Sequence, residues 1–398
     1  MGREVAIVGI GSTPFGRSPW SLLKLMAEAS HEALTDAGVE RDRVEALYVA
    51  NMGAVRNNRI GGLASALADR LGLLPAAADT VENGPASGGS AVKAGVLAVA
   101  SGYHDVVLVC GGERMREVSG LEATEFVSTL SHRYAEYPYG VTLPSLAGLF
   151  ARLFLAEREI SPEQLANVAL KNHENGARNP RAHLRRPLTL EGILTGPEAL
   201  LNNPWVAEPL RLYDCCPVSD GAAALLLLPA ERVSQIAPNA KAVRVAGLGQ
   251  ATAPHAVHAR PDPLRLTSVA RAAAQAFAYA GRQPDETDVA ELHDAFTVLE
   301  IAESEEVGFF PAGEGHLALQ RGETARDGAL PINPSGGLKA RGHPVGATGV
   351  SQVVELARQL RHEAGPYQIA KRDPELGFAV NLGGFANNAV ATVLARSL

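Results

Sequence analysis

The stretch from Asn333 to Gly349 reads Asn-Pro-Ser-Gly-Gly-Leu-Lys-Ala-Arg-Gly-His-Pro-Val-Gly-Ala-Thr-Gly, with glycines at 336, 337, 342, 346 and 349 around one histidine, His343. Glycine serves where the backbone must take positive φ or let a ligand touch it. His343 is the only group in the run that exchanges a proton near neutral pH. A lone loop histidine is usually a surface residue, and a Gly-rich turn is usually only a turn. Five glycines at fixed offsets around one His-Pro are more than a turn needs. The run therefore reads as a ligand-facing loop that feeds a helix N-terminus.

Working outward, His343 to Leu360 is that turn and helix, followed by the strand Phe378-Ala379-Val380 and then Gly383-Gly384. The same order stands much earlier in the chain. Gly84 to Ala100 is a Gly/Ser-rich turn running into an Ala/Val helix, followed by the strand Asp105 to Cys110 and then Gly111-Gly112. Further upstream, Val5 to Gly9, a helical pattern over Leu22 to Ala37 ending at Gly38, and Ala46 to Ala50 repeat as Val243 to Gly247, Val269 to Ala280 ending at Gly281, and Val289 to Leu292. This pattern indicates an internal duplication. Near-continuous apolar strands alternating with helices imply sheets buried on both faces. The expected fold is α/β, with a first half over 1–117 and 230–240, an inserted loop domain over 118–229, and a second half over 241–398.

Composition bounds the partners. At 398 residues, 46% hydrophobic and 20% charged, the chain can bury two or three cores. No apolar run reaches membrane-spanning length and no signal-peptide pattern opens the chain, so a cytoplasmic protein without membrane association is expected. The net charge of -7 argues against general nucleic-acid binding. Any phosphate must then meet a local basic patch, and the densest is Arg178, Arg181, Arg185 and Arg186 with His183, near Lys171 and His173. The plain reading of such a cluster is a solvated surface; a phosphate-rich ligand is the sharper one. Three cysteines, Cys110, Cys215 and Cys216, make neither a disulfide framework nor a metal-ligand pattern, so no metal is expected.

Asn333-Pro334-Ser335-Gly336-Gly337 with Gly342-His343-Pro344, preceded by His293-Asp294-Ala295-Phe296, resembles the thiolase superfamily, and most closely its archaeal and sterol-carrier-protein-x branch. Supporting stretches are Val81-Glu82-Asn83, Lys171-Asn172-His173 with Asn179-Pro180, and Cys215 to Ala222. The resemblance implies two duplicated βαβαβαββ halves in five layers, α-β-α-β-α, with a loop domain over the site. It also implies acyl-coenzyme A as substrate, no separate cofactor, and a homodimer. Thiolases carry an acyl-accepting cysteine in a Cys-Ala-Ser-Gly setting; the matching stretch here is Gly84-Pro85-Ala86-Ser87-Gly88, which puts Pro85 at the nucleophile position. Proline can be neither ionised nor acylated, and it lacks the N–H that would help hold an oxyanion. Its bland reading, a good first-turn helix residue, has the same chemical consequence. The family's second cysteine is replaced by Asn381, beside the backbone loop Gly383-Gly384.

What remains is His293 and His343, two imidazoles able to polarise a thioester carbonyl and move a proton. Three readings compete. The first is a cysteine-free acyl-CoA aldolase or related lyase working through an enolate. The second is a thiolase-like acyltransferase, or a subunit of one. The third is a non-catalytic acyl-CoA-binding scaffold. Proteins of the aldolase kind are often bound to a small partner with a zinc ribbon and an oligonucleotide-binding fold, so the resemblance implies such a partner as well.

Overall fold

The computed structural model describes residues 2–369 and 373–397. Nine strands form one hydrogen-bonded sheet: β1 Val5–Ser12, β2 Ala46–Ala50, β3 Ala77–Val81, β4 Val107–Arg114, β5 Asp220–Pro229, β6 Val243–Thr252, β7 Val289–Glu291, β8 Leu376–Gly383 and β9 Asn388–Ala395. Their order is β3-β2-β4-β5-β1-β6-β9-β8-β7. The two halves mirror each other about the β1–β6 pair, which is antiparallel and joined through only three residue pairs. Where β3 pairs with β2 in the first half, Ile332 makes a single parallel bridge to Ala290 in the second.

The principal helices are α1 Leu22–Ala37, α2 Leu63–Leu71, α3 Ser87–Ala100, α4 Gly120–Ser128, α5 Leu143–Glu157, α6 Pro162–Arg178, α7 Thr267–Ala280, α8 Thr297–Val307, α9 Gly337–Ala340 and α10 Val345–Leu360. Side chains on a strand alternate between faces, so β1 sends Val5 and Ile7 into one apolar layer and Ala6 and Val8 into another. The inner layer also holds Val92 of α3 and Val350 and Val353 of α10, caught between the two halves of the sheet. Every residue of α10 is buried, as a helix covered on all sides must be. With α1 and α2 on one outer face and α7 and α8 on the other, the stack is α-β-α-β-α.

The duplication extends to packing. A Cβ at Gly9 or Gly11 of β1 would fall on the carbonyl oxygens of Ala33 and Ala29 of α1. At Gly247 and Gly249 of β6 it would fall on those of Ala276 and Ala272 of α7. In each half two glycines and two alanines, spaced alike, let a helix lie directly on its strand. The central helices cross at glycines too, since a Cβ at Gly88 would stand 2.6 Å from the backbone nitrogen of Gly349.

The insertion, with α4, α5 and α6, packs mainly on the second half, where Phe150 meets Phe385 at 5.6 Å between ring centroids. Its expected end at residue 229 is corrected. Asp220–Pro229 is strand β5, buried along its whole length between β4 and β1. The strand belongs to the first half, and the insertion stops before it. Among the described residues, no helix is long and apolar enough to cross a membrane.

Candidate active site

The duplication brings the N-termini of α3 and α10 together, and the residues just before them, Pro85 and His343, line one cavity of about 160 Å³ with His293. Each enters from a different element. His343 is held in the Gly-rich loop by Ser219, whose Oγ accepts its backbone N–H at 3.3 Å. The loop takes positive φ at Gly336, Gly337 and Gly342, as its composition predicts. Its far end is fixed by Glu113 at the end of β4, which accepts the Gly346 N–H at the start of α10. The same carboxylate accepts from Met52 N, Gly53 N and Asn51 Nδ2, at 2.9–3.0 Å. Burial nevertheless pushes Glu113 up to about 7.

His293 follows β7. Its backbone N–H donates to Glu303 at 2.8 Å, and the neighbouring Asp294 caps α9 by accepting from Leu338 N and Lys339 N. The two imidazoles stand edge to face, 5.0 Å between centroids at 88°. Both are buried, at 3% and 8% exposure. Burial and the nearby Arg341 guanidinium lower His343 to about 3; burial, His343 and Arg341 lower His293 well below its ordinary value. Both rings are therefore neutral at physiological pH, each with one N–H and one lone pair. Asn381 on β8 joins the parts: its side chain contacts Gly89 N at 3.0 Å, the Pro85 carbonyl at 3.0 Å and His293 Nδ1 at 3.2 Å.

The remaining walls are largely apolar, including Val127 of α4, Leu143 of α5, Phe296, Leu299 and Phe385. A dry cavity of about 150 Å³ accepts a molecule such as benzene, so there is room for a short or compact acyl group. Gly384 reaches the cavity; Gly383 lies one residue behind it, in β8, opposite Asn388.

The basic cluster does not stay together. Arg181 pairs with Glu32 of α1 and with the Ser12 carbonyl, tying the insertion to the first half. Arg178 pairs with Glu174 on its own helix. Lys171 is buried against Glu300 at 2.7 Å, and burial lowers His173 to about 4, so neither adds charge to a surface. Arg185 and Arg186 line a separate cavity of about 670 Å³ with His173 and Tyr213. The chain from Tyr213 to Cys215 divides that cavity from the histidine site, Tyr213 facing one and Cys215 the other.

Sequence reasoning passed over Cys215 and Cys216 as site residues, yet both line the histidine cavity. Burial pushes each up to about 12, which keeps them as thiols and poor nucleophiles. It also missed Arg341 and Glu113, which act through the folded neighbourhood. Among the described residues no group of histidine, cysteine and carboxylate side chains is placed to hold a metal ion.

Family models describe the same two-part chain: "Thiolase, N-terminal domain" matches residues 5–231 and "Thiolase C-terminal domain-like" matches 249–396. The chain belongs to the thiolase family. An acetyl-CoA acetyltransferase from Methanothermobacter thermautotrophicus is 41% identical over 99% of this chain and 100% of its own. The benzoylsuccinyl-CoA thiolase subunit BbsB of Thauera aromatica is 30% identical over 92% of this chain and 91% of its own. Among solved structures, one described as "Ltp2-ChsH2(DUF35) aldolase" superposes on this thiolase with a TM-score of 0.82 at 25% identity, covering 98% and 97% of the two chains. Human mitochondrial 3-ketoacyl-CoA thiolase in complex with CoA gives 0.74 at 18% identity over 100% and 98%, a likeness of fold.

Proposed function

We propose that this thiolase acts on acyl-CoA thioesters and breaks or forms a carbon–carbon bond through a CoA-ester enolate, without a covalent acyl-enzyme. The observation that carries this reading is Pro85 at the tip of α3, on the wall shared with two neutral imidazoles. At the position that corresponds to the family's acyl-accepting cysteine, nothing can be acylated. In the retro-aldol direction one imidazole takes the β-hydroxyl proton and the O–H electron pair becomes a carbonyl π bond. The Cα–Cβ bond then breaks, its electron pair passes onto the thioester as an enolate, and a proton returned to Cα completes a shortened acyl-CoA. His293→Ala and His343→Ala should each lower cleavage of a β-hydroxyacyl-CoA by a factor of roughly 10² to 10³, the usual order of effect of removing a general base or an oxyanion donor. Unchanged cleavage in both variants would defeat the proposal.

A second reading, acyl transfer, is favoured by the 41% identity to an acetyl-CoA acetyltransferase. Incubation with acetyl-CoA and mass measurement of the intact protein separates the two. A stable acetyl adduct supports transfer, and its absence together with aldol cleavage supports the lyase. A silent scaffold is disfavoured, because burying two neutral histidines with directed partners has a desolvation cost that binding alone does not require.

The phosphates of CoA are proposed to lie near Arg185 and Arg186, since Arg178 and Arg181 are engaged with carboxylates. If charge reversal at Arg185 and Arg186 left CoA affinity and its salt dependence unchanged, that site would be discarded. A protein partner, of the small zinc-ribbon and oligonucleotide-binding kind, is also proposed. Its support is that one similar structure is a two-component aldolase and one relative is a subunit.

A further inference from the structure

The polar contacts around the cavity fix the protons of the two imidazoles as well as their positions. Asn381 faces the backbone N–H of Gly89 at 3.0 Å, and an N–H can only donate. The amide atom there must be Oδ1, which sets the orientation of the whole side chain. Nδ2 then faces the Pro85 carbonyl at 3.0 Å and His293 Nδ1 at 3.2 Å. An amide nitrogen has two protons, and these partners take one each. Nδ1 of His293 is thus the lone-pair nitrogen, and in a neutral imidazole the proton sits on Nε2.

His343 is held the other way. Its Nδ1 lies 2.7 Å from Thr348 Oγ1, and that hydroxyl lies 3.1 Å from the Pro344 carbonyl one turn back on α10. The hydroxyl makes the back-bond to the carbonyl four residues earlier and donates its single proton there. Oγ1 then accepts from Nδ1–H, which leaves the lone pair of His343 on Nε2.

We propose that Asn381 is a positioning residue that makes His293 the hydrogen-bond donor of the site, while Thr348 makes His343 the acceptor, so that the resting protein holds two neutral imidazoles in opposite tautomers. Its chemical use rests on the enolate reading above; the tautomers themselves do not. Nε2 of His343 takes the hydroxyl proton and becomes an imidazolium, Nε2–H of His293 hydrogen-bonds the enolate oxygen, and the imidazolium returns its proton to Cα, leaving both rings as they began. The same contacts connect the ring to the tip of α3, because one amide holds Pro85, Gly89 and His293 together.

The test is ¹⁵N spectroscopy of the full-length protein labelled at histidine, with the two resonance pairs assigned through His293→Gln and His343→Gln. The wild type is expected to show an unprotonated Nδ1 at His293 and an unprotonated Nε2 at His343. Asn381→Asp sets a carboxylate oxygen against Nδ1, so His293 should change to the Nδ1–H form, and cleavage should fall by a factor of roughly 10² to 10³ with loss of the Nε2–H donor. Asn381→Ala, which keeps the apolar stem and removes the amide, should give mixed tautomers at His293 and serves if the aspartate variant does not fold. The same tautomer at both histidines in the wild type, or a His293 signature unchanged in both Asn381 variants, overturns the proposal. If the signature switches as expected but no CoA ester is cleaved, the lyase reading fails and the tautomer assignment stands.

Discussion

At the residue scale, the site is governed by charges that burial does not permit. His343 has its folded value lowered to about 3 from an ordinary 6.5, so the folded protein binds fewer protons than the unfolded chain between those values. Its contribution to stability is present above pH 6.5 and lost as pH falls through 3. Urea unfolding across that window should show stability rising with pH, with a shallower slope in His343→Gln. Glu113 has the opposite sign: raised to about 7, it contributes fully below its unfolded value and less as pH rises through 7. Four N–H groups converge on its carboxylate, so Glu113→Gln turns an NH₂ toward groups that can only donate. We expect a loss of at least ~2 kcal/mol in chemical denaturation, since each buried unsatisfied group costs about 1–3 kcal/mol. His343 could be picked out in the sequence because a histidine among glycines advertises its chemistry, whereas His293 and Pro85 were reached through the family resemblance. Glu113 and Arg341 could not, since an ordinary acidic or basic residue becomes informative only once its neighbours are known.

At the scale of elements, the strand-and-helix order of both halves was legible, because period and punctuation are local properties. Gly38 and Gly281 both end their helices in the left-handed conformation. Strand β5 was misread because it follows the loop-like Cys215-Cys216-Pro217, and nothing local says that Leu225 to Pro229 returns to the sheet. The arginine cluster disperses for a related reason. Neighbours in sequence around the end of α6 point to different places, and Arg181 finds its carboxylate on α1, 149 positions earlier. The crossing of α3 and α10 gives the element-scale prediction. Gly349→Ala would drive a methyl group into the backbone of Gly89, so the central helices must move apart. Overpacking of this kind costs typically ~1–3 kcal/mol. Thermal unfolding should show the loss, and because both helices begin at the cavity, cleavage activity should fall with it.

At the scale of the whole molecule, the sheet ends differently at its two edges. Ile332 bridges to β7, whereas β3 carries exposed Ala77, Asp79 and Thr80 and, among the described residues, has no partner on its outer side. An uncovered edge invites pairing with a second copy. Light scattering is expected to find a homodimer, and a lysine in place of Thr80 should shift it toward monomer; a wild-type monomer at micromolar concentration would count against this. The other strand with unusual neighbours is β1. It begins the chain, yet Val5 pairs with Pro229, 224 positions further on, and with Val245 beyond that. During synthesis at about 5–20 residues per second, the first strand waits on the order of ten seconds or longer before either neighbour exists. Until then Val5, Ile7 and the apolar faces of β4 and α1 have no complete sheet to enter. A ribosome making this protein carries an unfinished first half through the entire insertion, its apolar strand faces uncovered until residues 220–245 have been made.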